Sequence, residues 1–210
     1  MFGRRIFLGW MSNWQYAQLV PTTQWRSAMT VPRVLSLITT DGEMVLASNP
    51  VTELLTLRGE ESNIELTLEK DFPDSDPIDL SPAPIQMTVN IERASAATFK
   101  IELANEIGDR VLIGLDSANR FYIDRRQSGI TSFSREFPAV HYAPRFMSQS
   151  SANLKLLIDT SSIELFADSG TVVMTDLIFP TQPLKNLKMH ASGGSVTANI
   201  KVYTLTSIWE

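Results

Sequence analysis

Apolar and polar residues alternate with a period of two over much of the chain. Because successive side chains of a β-strand point to opposite faces, this alternation predicts strands with one buried and one solvent-facing side. Two further runs, residues 172–179 and 196–205, are rich in β-branched and apolar residues at strand length. The alternating runs are residues 64–68, 85–91, 99–103, 154–158 and 163–165.

Turn-forming residues separate these runs at short intervals. Asp41 and Gly42 lie between residues 34–38 and 44–46, which is the strongest short signal for a β-hairpin. Many short strands joined by such turns predict an all-β fold, either an antiparallel sandwich or a barrel. Further turns are predicted at residues 108–109, 116–119 and 159–162.

Three segments interrupt the strand pattern. Residues 51–58 are the one helical candidate and are equally compatible with an extended connector. Residues 71–84 carry four prolines and four aspartates, and residues 132–151 mix aromatics, prolines and serines, so both are predicted to be loops. Three of the four tryptophans fall within the first 25 residues, which suggests a separate architectural piece. We therefore predict a first piece over residues 1–48, a linker over 49–61 and a C-terminal domain over 62–210.

Composition narrows the class of protein. With 210 residues, 43% hydrophobic and 20% charged, the chain has the average composition of a globular protein and not that of a disordered one. No apolar run approaches the roughly 20 residues of a membrane-spanning helix, so no membrane partner is predicted. The net charge is −5 and lysines and arginines do not cluster, which argues against nucleic acid as a partner. The absence of cysteine excludes disulfides, thiolate metal sites and cysteine nucleophiles.

Motifs for cofactors and export are also missing. There is no glycine-rich phosphate loop, no paired-histidine metal spacing and no G-x-S-x-G elbow, so no cofactor and no metal are predicted. His141 and His190 are far apart and are interpreted as surface or hydrogen-bonded histidines. Residues 1–10 contain two arginines and few apolar residues, with no cleavage site after them. The sequence thus predicts no signal peptide after Met1 and leaves the compartment open.

Four carboxylates in the strand-rich part could in principle supply the acid and base of a glycosidase. Asp159 and Asp168 are interpreted as turn residues, which bond their own backbone. Glu164 falls on the polar side of an alternating strand, where a solvated charge is expected. Asp124 precedes two arginines and is predicted to form an ion pair that lowers its pKa. None of the four is predicted to be catalytic.

The first 33 residues carry a more specific pattern. Asn13, Trp14, Gln15 and Tyr16 follow a predicted strand over residues 4–10. Aromatic rings stack on the C–H faces of sugars and amides bond their hydroxyls, so this set is typical of sugar recognition. A packed aromatic corner of a β-fold explains the same residues equally well.

Three stretches resemble glycoside hydrolase family 32, the family of invertases, levanases, inulinases and other β-fructosidases. The first resembles the last blade of the family's catalytic domain, and the next two resemble motifs of its C-terminal sandwich, in the expected order. They are RRIFLGWMSNWQYAQLVPTTQWRSAMTVPRVLSL (residues 4–37), FYIDRRQSG (residues 121–129) and LKLLIDTSSIELFADSGTVVMTDLIFP (residues 154–180).

The resemblance implies a five-bladed β-propeller followed by a β-sandwich, which hydrolyses β-fructosidic bonds with retention of configuration. In the family, the aspartate nucleophile, the glutamate acid/base and a second aspartate belong to W-M-N-D-P-N-G, R-D-P and E-C segments, and none of these occurs here. We therefore expect the final strands of a propeller blade followed by a C-terminal sandwich of two antiparallel sheets, without catalytic residues and inactive alone. The family is often secreted or periplasmic, and its substrates imply a fructan or sucrose partner for the complete enzyme.

The resemblance also suggests a binding residue. In the family, the tryptophan of the S-N-W-Q-Y-like loop lines the fructose pocket, and here that position is Trp14. Asn13 is a second candidate for substrate binding, although Asn13 and Gln15 could equally serve only to support the loop. Trp25 and Arg26 are interpreted as structural. Without the rest of a propeller, Trp14 is expected to be partly exposed or repacked against the sandwich.

Two other hypotheses remain open. The sandwich could be a non-catalytic carbohydrate-binding module, which would need two or three aromatics on the same polar side of adjacent strands. Alternatively, the N-terminal strands over residues 4–10 and 28–46 could expose edges and apolar faces, and a second copy of the chain could cover them as a homodimer.

Overall fold

The computed structural model describes residues 3–94 and 97–208, and this part of the chain is almost entirely β-structure. The only helices in these ranges are two short 3-10 helices, Thr52–Leu57 and Asp168–Gly170, and neither has the length or apolar character to cross a membrane. The strands are β1 (Arg5–Phe7), β2 (Arg33–Thr40), β3 (Glu43–Pro50), β4 (Arg58–Leu68), β5 (Ile78–Asp79), β6 (Ile85–Arg93), β7 (Thr98–Ala104), β8 (Arg110–Leu115), β9 (Arg120–Gln127), β10 (Val140–Pro144), β11 (Ala152–Asp159), β12 (Ser162–Ala167), β13 (Val172–Leu177), β14 (Asn186–Ser192) and β15 (Val196–Leu205).

These strands form three antiparallel sheets. A small N-terminal sheet has the order β1-β2-β3. Two six-stranded sheets follow, with the orders β10-β9-β8-β7-β14-β5 and β13-β12-β11-β6-β15-β4. The two large sheets share one hydrophobic core, so they form a β-sandwich. The predicted all-β class, with an antiparallel sandwich after a few separate strands, is confirmed.

The sequence alternation becomes the core of this sandwich. On β6, Met87 and Val89 are fully buried, and from the other sheet Ile101 and Ile113 are buried equally. Each such side chain contributes roughly 1.5–3 kcal/mol by leaving water. Their outward-pointing neighbours remain at least partly exposed over most of the sheet. The core therefore sits between the two sheets, as an alternating pattern requires.

A second, smaller core joins the N-terminal segment to the sandwich. Met11, Tyr16 and Val20 from the long β1–β2 connection pack against Phe137 and Phe179. The Tyr16 and Phe137 rings meet edge to face, with centroids 5.4 Å apart. The N-terminal segment, residues 3–50, therefore docks onto the sandwich through buried apolar contacts.

Two local predictions are resolved at the start of the chain. The β2–β3 hairpin turns at Asp41 and Gly42, which have φ values of 48° and 82°, as the predicted tight turn requires. Residues 51–58, for which helix and connector were both open, contain the 3-10 helix Thr52–Leu57. Strand β4 begins at Arg58, within the segment predicted as a linker, and pairs with β15.

Strand boundaries deviate from prediction in places where long-range pairing decides them. The predicted strand over residues 4–10 shortens to β1, and Trp10 instead forms an isolated bridge with Met29. The predicted loop over residues 132–151 contains β10, because Val140–Pro144 pairs with the free edge of β9. The loop over residues 71–84 similarly contributes β5 to the edge of β14.

Candidate functional site

The predicted sugar-binding residues lie in the turn that follows β1. The Asn13 carboxamide accepts the N–H of Gln15 at 2.9 Å, and its backbone carbonyl accepts the N–H of Ala17 at 2.8 Å. Asn13 therefore shapes the turn, although its side chain remains exposed. Trp14, next in the chain, is 86% exposed and is not repacked against the sandwich.

An aromatic partner for Trp14 is added by the fold. The ring of Trp10 lies against it, with centroids 4.9 Å apart and planes tilted by 56°. This contact was not predicted from the sequence, although the two tryptophans are only four residues apart. Trp25, which is 37% exposed, and Arg26 lie on the same connection between β1 and β2.

Tyr16 explains why Trp14 points outwards. It is buried, and its hydroxyl accepts a hydrogen bond of 3.1 Å from the guanidinium of Arg125 on β9. The turn thus uses one aromatic as an anchor and presents the other to solvent. The packed-corner interpretation therefore applies to Tyr16, whose ring is buried. The exposed ring of Trp14 is compatible with sugar recognition.

Arg125 is the centre of this anchor. It is almost fully buried, and its guanidinium contacts the Asp176 carboxylate at 3.0 Å. Its Nε donates to the carbonyl of Phe137 at 2.9 Å, and the Phe137 ring lies 4.1 Å away. His141 reaches the same carboxylate through Nδ1 at 2.7 Å. The buried positive charge is therefore matched by a buried negative one, as burial of a charge requires.

Glu164 forms a second anchor, and its predicted solvent exposure is wrong. Its side chain is buried on β12 and accepts two hydrogen bonds from the N-terminal segment. These come from the Arg33 guanidinium at 2.5 Å and the Val31 N–H at 2.8 Å. Arg33 also donates to the Thr175 hydroxyl at 2.7 Å. The outer face of β12 is covered by the N-terminal segment, so the polar side of this strand is an interface and not a solvated surface.

Burial dominates the electrostatics of Glu164. Desolvation raises the pKa of its carboxyl above the ordinary value, against the opposing hydrogen bonds from Arg33 and Val31. A raised carboxyl pKa is often a mark of a general acid. Here, however, both carboxylate oxygens are engaged by the N-terminal segment. The perturbation therefore reflects a structural contact.

Asp168 lies in a turn, as predicted, but is also buried. Its carboxylate pairs with Arg145 at 2.5 Å, and both side chains are completely inaccessible. In the same turn, the Ser169 carbonyl accepts a hydrogen bond of 2.7 Å from the Asn49 amide of β3. This turn is therefore another contact between the N-terminal sheet and the sandwich.

The remaining predicted polar residues have local roles. Partial burial opposes ionisation of Asp124, but hydrogen bonds from Arg126 outweigh it and hold the pKa of this carboxyl below its ordinary value. Asp159 accepts the N–H of Thr160 at 2.7 Å, as a turn residue does. His190 bonds Asp74 at 2.6 Å. Among residues 3–94 and 97–208, no three acidic or histidine side chains gather as a metal site would require.

Comparison with known proteins identifies the family of this chain. Residues 53–207 match the C-terminal domain of glycosyl hydrolases family 32, and residues 1–50 match the N-terminal domain of the same family. The chain belongs to this family, and it corresponds to the C-terminal portion of its members.

Individual relatives agree with this assignment. A levanase of Bacillus subtilis is 33% identical over 98% of this chain, and a levanase of Bacillus sp. (strain L7) is 31% identical over 99%. The chain spans only 31% and 23% of these two relatives. Among solved structures, exo-inulinase from Aspergillus awamori superimposes with a TM-score of 0.82 at 26% identity, over 97% of this chain and 41% of that one.

The Arg33–Glu164 contact leads to a stability prediction. We expect Arg33→Met to lower the free energy of unfolding by about 3–5 kcal/mol, because it leaves a buried carboxylate unpaired. The double variant Arg33→Met/Glu164→Gln should recover part of this loss, since no charge then stays buried. Chemical denaturation of the single and double variants measures both effects.

Arg26→Met serves as the matched control, because Arg26 is an exposed arginine of the same connection. It should change the free energy of unfolding by less than about 0.5 kcal/mol. Equal stability of the Arg33 and Arg26 variants would show that the buried pair does not hold the segment in place.

Proposed function

We propose that this chain is the C-terminal part of a fructan-hydrolysing enzyme, in which the sandwich holds the final strands of the propeller. In this proposal, residues 1–48 belong to the last blade, residues 49–61 form the linker and residues 62–210 form the sandwich. The levanases and the exo-inulinase to which the chain is similar suggest fructan as the substrate class.

One observation carries the proposal: the N-terminal segment is joined to the sandwich by buried polar contacts. Arg33 reaches Glu164, and Tyr16 reaches Arg125, across more than 100 residues of sequence in each case. A sandwich whose only role is to bind sugar would not need buried charged contacts with such a short segment. These contacts suit a scaffold that positions the turn bearing Trp14.

The proposal assigns no hydrolytic role to the carboxylates of this chain. Retaining glycosidases need two carboxyl groups about 5 Å apart on opposite sides of the scissile bond. Glu164, Asp168 and Asp176, the buried carboxylates of the described ranges, are each paired with an arginine. A carboxylate that is buried in an ion pair does not reach a substrate, so it suits neither protonation of a leaving group nor attack on a sugar carbon.

We therefore expect the 210-residue chain alone to release no fructose. The test incubates it with sucrose, inulin and levan and measures free fructose, with Bacillus subtilis levanase as the positive control. Fructose release at an enzymatic rate would contradict the proposal and place a catalytic group within these residues; its loss with Glu164→Gln would assign that group to Glu164.

We further propose that Trp14 lines the fructose pocket of the complete enzyme, with Asn13 shaping the turn that presents it. The exposed indole suits this role because one face remains free for stacking on a sugar ring. Neighbouring blades of a propeller would supply the other walls of the pocket.

This role can be tested in a chimera, in which the present chain replaces the matching C-terminal part of Bacillus subtilis levanase. We expect Trp14→Ala to raise KM for levan about tenfold, and Trp14→Phe to raise it less, because phenylalanine keeps a stacking ring. Initial rates over a range of levan concentrations give KM and kcat. Unchanged KM in a folded Trp14→Ala chimera would refute the role.

The N-terminal sheet exposes apolar residues that need a partner. Leu37 on β2 and Leu46 on β3 are cross-strand neighbours that are 66% and 57% exposed, and Met44 is 70% exposed. Within the described residues, β1 and β3 are the edges of this sheet. In a complete enzyme, we propose that neighbouring propeller strands cover this surface; in the isolated chain, we propose that a second copy does so as a homodimer.

We expect the isolated chain to dimerise as its concentration rises, and Leu37→Arg to weaken the dimer by placing a charge in its apolar contact. Light scattering over a wide concentration range measures the mass. Ile107→Arg is the control, because Ile107 is 58% exposed on a sandwich turn. A monomer at every concentration would contradict this prediction.

A further inference from the structure

The outer face of the β10–β5 sheet carries one continuous row of aligned residues. Directly paired residues of antiparallel strands share a face, so the strand register identifies the row. Its flanking residues, among them Phe99, Ile113 and Phe121, point into the core, so the row itself faces outwards. At about 4.8 Å per strand, it spans about 19 Å. Its members are His190 on β14, Lys100 on β7, Gly114 on β8, Tyr122 on β9 and Tyr142 on β10.

Two aromatic rings form one end of this row. Tyr122 and Tyr142 have ring centroids 6.1 Å apart, and Tyr142 is 50% exposed. The guanidinium of Arg120 lies 4.2 Å from the Tyr142 ring and is held in place by the Asp116 carboxylate at 2.7 Å. These are two aromatics on the outer side of adjacent strands, the arrangement that a sugar-binding sheet requires.

Gly114 lies beneath the Tyr122 side chain and is buried. A Cβ atom at this position would lie 2.3 Å from the Phe99 carbonyl oxygen and 2.9 Å from the Tyr122 hydroxyl. The phenol of Tyr122 therefore reaches over β8, where any larger residue would collide with it. Glycine at this position therefore lets the Tyr122 side chain lie flat over β8, between the aromatic end and the polar end of the row.

The polar end is a groove of about 770 Å³, lined by Asp74, Thr98, Lys100, Asp116, Tyr122 and His190. Burial, with smaller contributions from nearby Asp124, Tyr142 and Asp116, raises the pKa of Tyr122 to about 12, so its hydroxyl stays protonated at neutral pH. Among the contacts of residues 3–94 and 97–208, neither this hydroxyl nor the Lys100 ammonium forms a hydrogen bond. Both are available to a ligand.

The charges of the groove favour a neutral ligand. Asp74 is occupied by His190, and Asp116 by Arg120, which leaves Lys100 as the one unpaired charge of the lining residues. A phosphate or a polyanion would need several free cations. An uncharged polyol needs an exposed ring for its C–H face and scattered hydrogen-bonding groups for its hydroxyls; Tyr142 provides the ring, and Tyr122 and Lys100 provide polar groups.

We propose that this face binds a linear fructan segment, as a second sugar site away from the propeller. The choice of fructan as the ligand rests on the proposed function, whereas the geometry of the site does not depend on that function. The anchors of the N-terminal segment lie elsewhere, since Glu164 belongs to the opposite sheet and the Arg125 side chain is buried. Substrate polymer held at this face would stay close to the enzyme between cleavage events.

Isothermal titration calorimetry on the full 210-residue chain tests the proposal, with inulin-type, levan-type and xylan-type oligosaccharides as ligands. We expect saturable binding of the two fructans. Tyr142→Ala should weaken it about tenfold, equivalent to about 1.4 kcal/mol, and Lys100→Met should weaken it less. Tyr203→Ala is the matched control, because Tyr203 also stacks with an arginine, Arg58 at 4.0 Å, but on the other sheet; its affinity should stay within twofold of the unaltered chain.

Thermal unfolding followed by circular dichroism establishes that each variant is folded. Absence of fructan binding by the unaltered chain would overturn the proposal, as would binding that survives Tyr142→Ala but is lost with Trp14→Ala. Binding of xylan-type oligosaccharides alone would overturn the fructan assignment. Fructose release by the levanase chimera is a separate measurement, so an active chimera whose C-terminal chain binds no fructan refutes this site and leaves the proposed function standing.

Discussion

A carboxylate can be buried only where a cation and hydrogen-bond donors replace its water, and Glu164 obtains both from the N-terminal segment. The contact makes two pieces of the chain dependent on each other. Without Arg33, the sandwich would hold an unpaired charge on β12; without Glu164, Arg33 would lose its buried partner. The position of the whole β1–β3 sheet follows from this mutual requirement, supported by the Tyr16–Arg125 contact and the small aromatic core around Phe137.

The same arrangement gives the buried acids and the exposed Trp14 different positions in the fold. The strongly buried acids of the described residues serve as structural partners of arginines, and the exposed indole of Trp14 lies on the connection between β1 and β2, next to Tyr16, which contacts one of these arginines. A rigid support that presents a binding loop is a common division of labour in enzymes. The outer sheet face with Tyr142, where we propose a second sugar site, lies apart from these anchors.

Much of the fold followed from local pattern. The hairpin at Asp41 and Gly42 was predictable because only a few residue pairs accept its backbone angles. Strand β10 and the burial of Glu164 were not predictable, because each depends on a partner far along the chain: β9 in one case and Arg33 in the other. Trp14 became a candidate through the aromatic and amide pattern around it and through the family resemblance, whereas its contact with Trp10 is a result of the fold.

By itself, the sequence determined the all-β class, the faces of most core strands and the family, since period-two alternation, turn residues and motifs are properties of neighbouring residues. Tertiary structure alone decided which polar residues are interfaces and which are surface. An alternating strand shows that Glu164 and Tyr122 both point away from the core, but not what lies beyond. In one case the N-terminal segment covers that face, and in the other an open groove remains, because sheet order and docking bring together groups that no local pattern connects.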